Sequence, residues 1–323
     1  MKAIVFDQPG APTVMHIGDA PVPIPGPDEL LIRVHATAVN RADTLQRRGH
    51  YPPPTDASPI LGLELAGEVT HAAGGFQVGD RVMAVVTGGG YAEFATVPAG
   101  MAMHIPDTMT YEDAAAIPEV FLTAYLNLFT LGRLQSGETA LVHAGASGVG
   151  TAAIQLIRAA GGVALATVRN TDKMPICKHL GAAHVIDSTV ENFADAVLAQ
   201  TGGQGVQVIL DFVGAPFWND NLRAAAMDGR LLLVGSMGGT VGQLDLGAIM
   251  GKRLIITGRT LRRTPLAQKV SLTRAFESFA MPRFADGTLK PIIDSTFELG
   301  DAPSAHQRME ANLNTGKIIL RLT

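Results

Sequence analysis

The run Leu141-Val142-His143-Ala144-Gly145-Ala146-Ser147-Gly148-Val149-Gly150 passes from strand-forming residues into a glycine-rich turn, and an apolar helical stretch follows. Glycines at 145, 148 and 150 permit a tight turn. They let backbone N–H groups at a helix N-terminus meet a pyrophosphate and bring that helix close to the strand before it. The spacing is G-x-x-G-x-G rather than the usual G-x-G-x-x-G, and a glycine cluster alone says little, since glycines also serve plain packing. Its position decides the reading: it lies at the first turn of a run of strand–helix units, where a dinucleotide-binding loop belongs. Gly145, Ala146, Ser147, Gly148, Val149 and Gly150 are therefore the candidate phosphate-binding residues.

The next strand decides which dinucleotide. A site for NAD usually places Asp or Glu at the end of that strand, about 20 residues on, to bind the ribose 2′-hydroxyl. Here the strand ends Thr167-Val168-Arg169-Asn170-Thr171-Asp172-Lys173. The acidic position is apolar Val168, followed by Arg169 and, one helical turn later, Lys173. Basic groups suit a 2′-phosphate, so the cofactor expected is NADPH. The plainer reading makes Arg169 and Lys173 a solvated face, with Asp172 as N-cap of the next helix; the two are compatible.

The elements needed to hold this loop are legible around it. Helical spacing covers 111–131, interrupted by Pro118. Strands expected at 140–144, 163–168, 184–187, 206–213, 230–235 and 253–257 then alternate with helices at 151–160, 172–180, 191–201 and 218–227. That repeat predicts a doubly wound parallel sheet. The chain before it shows strand patterns at 2–7, 29–39, 62–70, 81–86 and 91–97, with proline-rich loops at 21–27 and 52–54. Beyond residue 265 a long helix to about 284, a strand at 292–297, a helix at 302–311 and a strand at 317–322 return to complete the first domain. The expected division is 1–121 with 265–323 for the β-rich domain and 122–264 for the dinucleotide domain.

Composition narrows the function classes. Of 323 residues 36 are glycine, well above the usual share of roughly 7%. The one cysteine, Cys177, allows no internal disulfide and no thiolate zinc cluster, and it fits a reducing cytoplasm. A net charge of −4 leaves no electrostatic footprint for nucleic acid. The start MKAIVFDQPG has no apolar core of a signal peptide, and the uncharged stretch 139–157 divides into a strand and an amphipathic helix rather than a membrane span.

Several stretches together resemble a known family over essentially the whole chain. They are Val39-Asn40-Arg41-Ala42-Asp43 with Gly49-His50-Tyr51-Pro52-Pro53-Pro54, Gly62-Leu63-Glu64-Leu65-Ala66-Gly67-Glu68-Val69, Gly89-Gly90-Tyr91-Ala92-Glu93, the loop 143–150, and Met309-Glu310-Ala311-Asn312 with Gly316-Lys317. The chain resembles the zinc-independent, ζ-crystallin-like quinone oxidoreductases of the medium-chain dehydrogenase/reductase superfamily, and most of all the branch with the tumour-suppressor-inducible enzyme of animals. The resemblance implies an α/β fold with a GroES-like β-rich catalytic domain and a Rossmann domain, a homodimer, and an NADPH:quinone oxidoreductase activity. In zinc-dependent relatives the catalytic metal is held by a Cys, by the His of a G-H-E motif, and by a further Cys or acid. Here those places hold Asn40, Leu63 in Gly62-Leu63-Glu64, and Glu119. Amide and leucine do not replace thiolate and imidazole, so no metal site is expected.

Without a metal to polarise a carbonyl, the acceptor must be electrophilic by itself, as quinones and conjugated enones are. By resemblance Asn40, Asp43 and Tyr51 line the substrate pocket: Asn40 to bind a carbonyl oxygen, Tyr51 to donate to a developing oxyanion or cap the nicotinamide ribose, Asp43 to orient its neighbours. Helix capping by Asn40 and Asp43, and loop packing by Tyr51, are the bland alternatives. Further cofactor contacts are expected from Phe212, Val213 and Gly214, from Gly235, Ser236 and Met237, and from Thr123, with Leu261, Arg262 and Asn314 near the nicotinamide end; strand-end glycines are also plain turns. An enone or enoyl-thioester reductase and a non-catalytic NADPH-binding protein are the competing functions. A short-chain reductase is disfavoured because none of the four tyrosines has a lysine four residues later.

Overall fold

The structure is a computed structural model that describes residues 1–322. The chain folds into two compact units. The first comprises Met1–Leu122, Arg262–Ala285 and the chain from Lys290 on; the second comprises Thr123–Leu261 and Asp286–Leu289.

The first unit is built on a seven-stranded sheet. Its axis is Glu29–Val39, an 11-residue strand that pairs antiparallel with Glu64–His71, with Phe94–Pro98 and with Lys317–Arg321. Arg81–Val85 and Ala102–His104 extend the sheet beyond Glu64–His71 on one side, and Ile293–Glu298 lies parallel to Lys317–Arg321 on the other. A two-stranded ribbon, Lys2–Val5 with His16–Asp19, stands apart. Ile4, Val39, Leu61, Tyr91, Met309, Ile318 and Leu320 form one buried cluster, so the C-terminal strand and helix belong to the core of the chain's beginning. The helix Arg41–Arg47 has no counterpart in the expected pattern. It buries Asp43, Thr44, Gln46 and Arg47, and a helix whose inner face is polar leaves no apolar periodicity to read. The short strands His16–Asp19 and Ala102–His104 also go unannounced.

The second unit is a six-stranded parallel sheet in the spatial order Ala182–Asp187, Val163–Val168, Thr139–Val142, Val206–Asp211, Ala225–Leu233, Ile255–Gly258. In chain order that is 3-2-1-4-5-6, the Rossmann arrangement, and the order reverses between Thr139–Val142 and Val206–Asp211. Its central strands are largely buried on both faces, which explains the apolar runs Ala140-Leu141-Val142 and Val208-Ile209-Leu210 within them. Two expectations change. The helical stretch 111–131, expected to be interrupted at Pro118, is three pieces: Tyr111–Ala115, Pro118–Tyr125, which Pro118 starts, and a π-helical Leu126–Leu131 that the spacing did not announce. The helix expected to reach Met227 stops at Ala224, and a helix Leu246–Lys252 with no buried residue appears where no pattern foretold it. Among the described residues no helix is long and apolar enough to cross a membrane.

Candidate functional site

In the second unit the glycine loop lies at the sheet's reversal point. Ala144 turns the chain out of its strand with φ 48, a left-handed conformation uncommon for a residue with a side chain. The Gly145 N–H donates to the Thr167 carbonyl at 2.8 Å, fixing the loop to the neighbouring strand. A Cβ on Gly145 would lie 2.8 Å from Ala166 Cβ and 3.2 Å from Cys177 Sγ. The buried Cys177 is thus a packing residue, and burial pushes its thiol up to about 12. Ser147 caps the 12-residue helix Gly148–Ala159, its Oγ accepting from Gly150 N–H at 3.1 Å. The first-turn N–H groups of Gly148 and Val149 have no intrahelical acceptor, and no acidic side chain stands in that turn. Such an end is suited to a phosphate.

A buried polar chain holds this loop to the next strand end. His143 Nε2–H donates to Asn221 Oδ1 at 2.7 Å, and His143 Nδ1 accepts from the Thr167 hydroxyl at 2.9 Å. The tautomer follows from the amide, because Asn221 Nδ2 donates to Asp211 Oδ2 at 3.0 Å and so turns its oxygen to the ring. Burial lowers the His143 pKa, which keeps the ring neutral. Asp211 Oδ1 then accepts from the N–H groups of Val213 and Gly214, at 2.7 and 3.0 Å. Met237 N–H donates to Phe212 O and Gly238 N–H to Val213 O, so the segments carrying Phe212, Val213 and Gly214 and Gly235, Ser236 and Met237 are stitched side by side. Gly214 has φ +85, and a Cβ there would meet Gly239 O at 2.6 Å. Asn221 and Asp211 were not singled out in the sequence; an amide in a helix and an acid ending an apolar strand give no signal until the fold brings them to His143.

At the end of Val163–Val168, Val168 is 3% exposed, while Arg169 is exposed and has no hydrogen bond or ion pair among the described residues. Lys173 is partly buried in the turn after it. The expected capping role of Asp172 is corrected: the helix Met174–His179 has Lys173 at its N-cap position and no side-chain cap, while Asn170, with extended backbone, caps the 3-10 turn Thr171–Lys173 before it, its Oδ1 accepting from Asp172 N–H at 2.8 Å. Thr123 is partly buried, its carbonyl accepting from Asn127 Nδ2 at 2.8 Å, and Leu261 is buried at the end of the unit.

The first unit carries a different kind of site. Lys317 is 3% exposed, and its ammonium donates to Asn40 Oδ1 and Glu64 Oε1, each at 2.7 Å, and to Val39 O at 3.0 Å. Asn40 Nδ2 donates in turn to Glu64 Oε1 at 2.8 Å and Ala38 O at 3.2 Å. Both amide hydrogens of Asn40 are therefore engaged, and donation to a substrate carbonyl, the role expected of it, does not fit this arrangement. Asp43 stands in the first turn of the helix Arg41–Arg47 and closes its capping box with Asn40, accepting from Asn40 N–H at 2.8 Å and from Gly62 N–H at 3.1 Å. Burial raises its carboxyl to about 6 against those two hydrogen bonds. Glu64 Oε2 accepts from Glu119 N–H at 2.8 Å, which fixes the start of the helix Pro118–Tyr125. Tyr51 lies 5.4 Å from the Arg262 guanidinium carbon, measured to the ring centre, and Arg262 is anchored by Nε and Nη2 on Thr87 O. Asn314 is occupied locally, its Nδ2 donating to Gly316 O. Lys317, Glu64 and Glu119 were not candidates from sequence.

These residues also decide the fit for zinc. The position of a histidine ligand holds Leu63, 2% exposed and apolar, and the oxygens of Asn40 and Glu64 already enclose an ammonium. The cation this cluster is built for is Lys317's own, and zinc does not fit it. Among the described residues no group of three or more His, Cys, Asp or Glu is placed to hold a metal.

Two family models match the chain: the alcohol dehydrogenase GroES-like domain over residues 26–107 and the zinc-binding dehydrogenase over 148–276. A quinone oxidoreductase of Pseudomonas aeruginosa is 35% identical over 326 residues, 99% of either chain. Two solved structures are similar over the full length. The Escherichia coli quinone oxidoreductase complexed with NADPH has a TM-score of 0.89 at 28% identity, covering 99% of this chain and 100% of that one. A mycobacterial protein complexed with NADPH has a TM-score of 0.88 at 34% identity, covering 99% of each chain. A GroES-like unit joined to a Rossmann unit defines a medium-chain oxidoreductase, and this chain belongs to that family, with proteins named quinone oxidoreductases among its full-length relatives.

Proposed function

We propose that the chain is an NADPH-dependent quinone reductase that works without a metal. The observation that carries this reading is Lys317: its ammonium fills the buried donor cluster where zinc-dependent relatives keep their Lewis acid. When bound, the nicotinamide supplies a hydride, and the acceptor must be electrophilic without help, as a quinone is. The N–H groups of Gly148 and Val149 take the pyrophosphate. Arg169, with no partner among the described residues and no acid at position 168, takes the 2′-phosphate together with Lys173. The Asp211-bound turn and the segment at Gly235, Ser236 and Met237 fix the floor against which the cofactor lies. On the first unit, Tyr51 and Arg262 are the groups for an acceptor oxygen, with Asn40 and Asp43 positioning the backbone around them. A cytoplasmic location belongs to the same reading, supported by the lone free thiol of Cys177.

NADPH and NADH oxidation with 1,2-naphthoquinone, a simple enone and an enoyl thioester tests this. Turnover is expected with the quinone and NADPH. Binding of NADPH without turnover of any acceptor would overturn the enzyme reading, and preference for the enone or thioester would move the substrate class. Arg169→Ala should raise the KM for NADPH by about 10- to 100-fold and leave that for NADH unchanged, the effect of one charge-assisted contact. Equal use of both cofactors by the unaltered protein would defeat the 2′-phosphate assignment.

The same reading includes a homodimer. Ile255–Gly258 is the open edge of the parallel sheet, with Ile255 56% exposed. Val241, Leu246 and Met250 nearby in the chain are 90%, 62% and 73% exposed. An unpaired apolar edge is the kind of surface a second copy covers. Ile255→Lys should give a monomer by light scattering where the unaltered chain gives a dimer; a monomer in both would sink the proposal.

A further inference from the structure

We propose that Glu119 delivers the proton that completes reduction of the acceptor, acting from the polar cluster that also holds Tyr51 and Arg262. The inference rests on the reductase reading and gives it the acid that the metal-free mechanism lacks.

Glu119 is fixed by its backbone and free at its head. Its N–H is held by Glu64 Oε2 at 2.8 Å in the first turn of Pro118–Tyr125, while its partly buried carboxyl has no hydrogen bond among the described residues. In the same unit Arg262, 5% exposed, uses Nε and Nη2 on Thr87 O, stands 5.4 Å over the Tyr51 ring, and leaves Nη1 buried without a partner among the described residues. Glu119, Asp43 and Tyr51 all act electrostatically on that guanidinium. A buried guanidinium N–H without a partner is costly unless something completes it. An acceptor oxygen bound there would receive Nη1–H within the electrostatic reach of the Glu119 acid.

The surroundings set the state of that acid. Burial pushes the Glu119 carboxyl up to about 8, helped by Glu64 and Asp43, and opposed by Lys317 and Arg262. Lys269, on the helix Leu266–Ala285, also senses the carboxyl. At neutral pH the side chain therefore carries its proton, poised near the operating pH as an efficient general acid should be.

The balance closes with components already named. The acceptor takes two electrons and one proton from reduced nicotinamide as its C4–H bond breaks, and is left as an oxyanion. The O–H bond of Glu119 breaks as the acceptor oxygen gains that proton, and solvent water reprotonates the carboxylate. Quinone, NADPH and one solvent proton become hydroquinone and NADP⁺.

The test uses the full chain, Glu119→Gln and Glu119→Asp, with kcat for 1,2-naphthoquinone and NADPH measured from pH 5.5 to 9.5, and Tm without cofactor over the same range. In the unaltered protein kcat should fall with one-proton slope above about pH 8. Glutamine should lower kcat about 100-fold at pH 7 and erase that limb, with the Kd for NADPH unchanged. Aspartate should keep the limb at a lower plateau. The Tm readout needs no turnover. Folded Glu119 keeps its proton up to about 8, whereas unfolded it loses it near 4.5, so stability falls as pH rises through that window. Glutamine has no proton to lose, so its Tm should draw above that of the unaltered protein from pH 5 to 8. A Glu119→Gln enzyme within twofold in kcat with the alkaline limb intact, or a Tm difference that does not change with pH, overturns the inference while leaving the reductase reading standing. An inert unaltered protein overturns that reading and this inference with it.

Discussion

Lys317→Met should destabilise the first unit by about 3–5 kcal/mol, the loss expected when one partner of a buried ion pair is removed and the other stays. Lys317 and Glu64 are 3% and 0% exposed, so no water replaces the missing ammonium. Methionine nearly conserves volume, which confines the effect to charge and hydrogen bonding. Glu64 would keep only Asn40 Nδ2 and the Glu119 N–H, and Asn40 Oδ1 and Val39 O would lose a donor. The companion change Glu64→Gln keeps an acceptor for the Glu119 N–H while removing the charge. If the cost of the single variant is an unpaired carboxylate, adding it to Lys317→Met should restore stability, and a double-mutant cycle should show a coupling near the upper end of the usual 0.5–3 kcal/mol. The only tryptophan, Trp218, lies in the second unit and reports on the wrong structure. Hydrogen exchange along Lys317–Arg321 is the proper readout, since that strand pairs with Glu29–Val39 at the sheet's centre. A loss below about 1 kcal/mol would mean the cluster is solvated, and the argument against zinc would lose its footing.

That cluster also shows why one half of the protein was easier to read than the other. The parallel sheet announces itself locally: Val208-Ile209-Leu210 is an apolar run inside the strand Val206–Asp211, and the strand, the glycines and the helix of the phosphate loop follow one another within twenty residues or so. The bonds of Lys317 span 277 residues to Asn40 and 253 to Glu64. A lysine opening the apolar strand Lys317–Arg321 looks like the strand's polar end, and a glutamate before Leu65 and Ala66 looks like alternation; nothing in either neighbourhood says that the two meet. The helix Arg41–Arg47 hides for the same reason, because its buried face carries Asp43 and Arg47. Resemblance brought Asn40, Asp43 and Tyr51 to notice, but the amide contacts of Asn40 depend on residues far along the chain, so its role was legible only once they were in place.

The phosphate loop allows an equally sharp expectation: Gly150→Ala should weaken NADPH binding by at least about 100-fold, or roughly 2.7 kcal/mol. The added Cβ would lie 2.4 Å from Ala144 O and 2.7 Å from Gly145 C and O. All three are backbone atoms, so no side chain can swing aside. Ala144 already holds φ 48 and has little freedom left. Gly145 cannot retreat, for its N–H is bound to Thr167 O and the space behind it is closed by Ala166 and Cys177. What can move is the start of Gly148–Ala159, which would carry the N–H groups of Gly148 and Val149 away from the position that suits a phosphate. Gly251→Ala is the contrast. It lies in the helix Leu246–Lys252 with nothing within 4 Å of the new methyl, and alanine there should stabilise by about 0.5–1 kcal/mol with NADPH affinity unchanged. Calorimetric titration with NADPH, with circular dichroism to show that both variants fold, measures the pair. Binding by the Gly150 variant within threefold of the original would mean that the loop yields in a way its contacts do not permit, and the pyrophosphate would have to be sought elsewhere in the second unit.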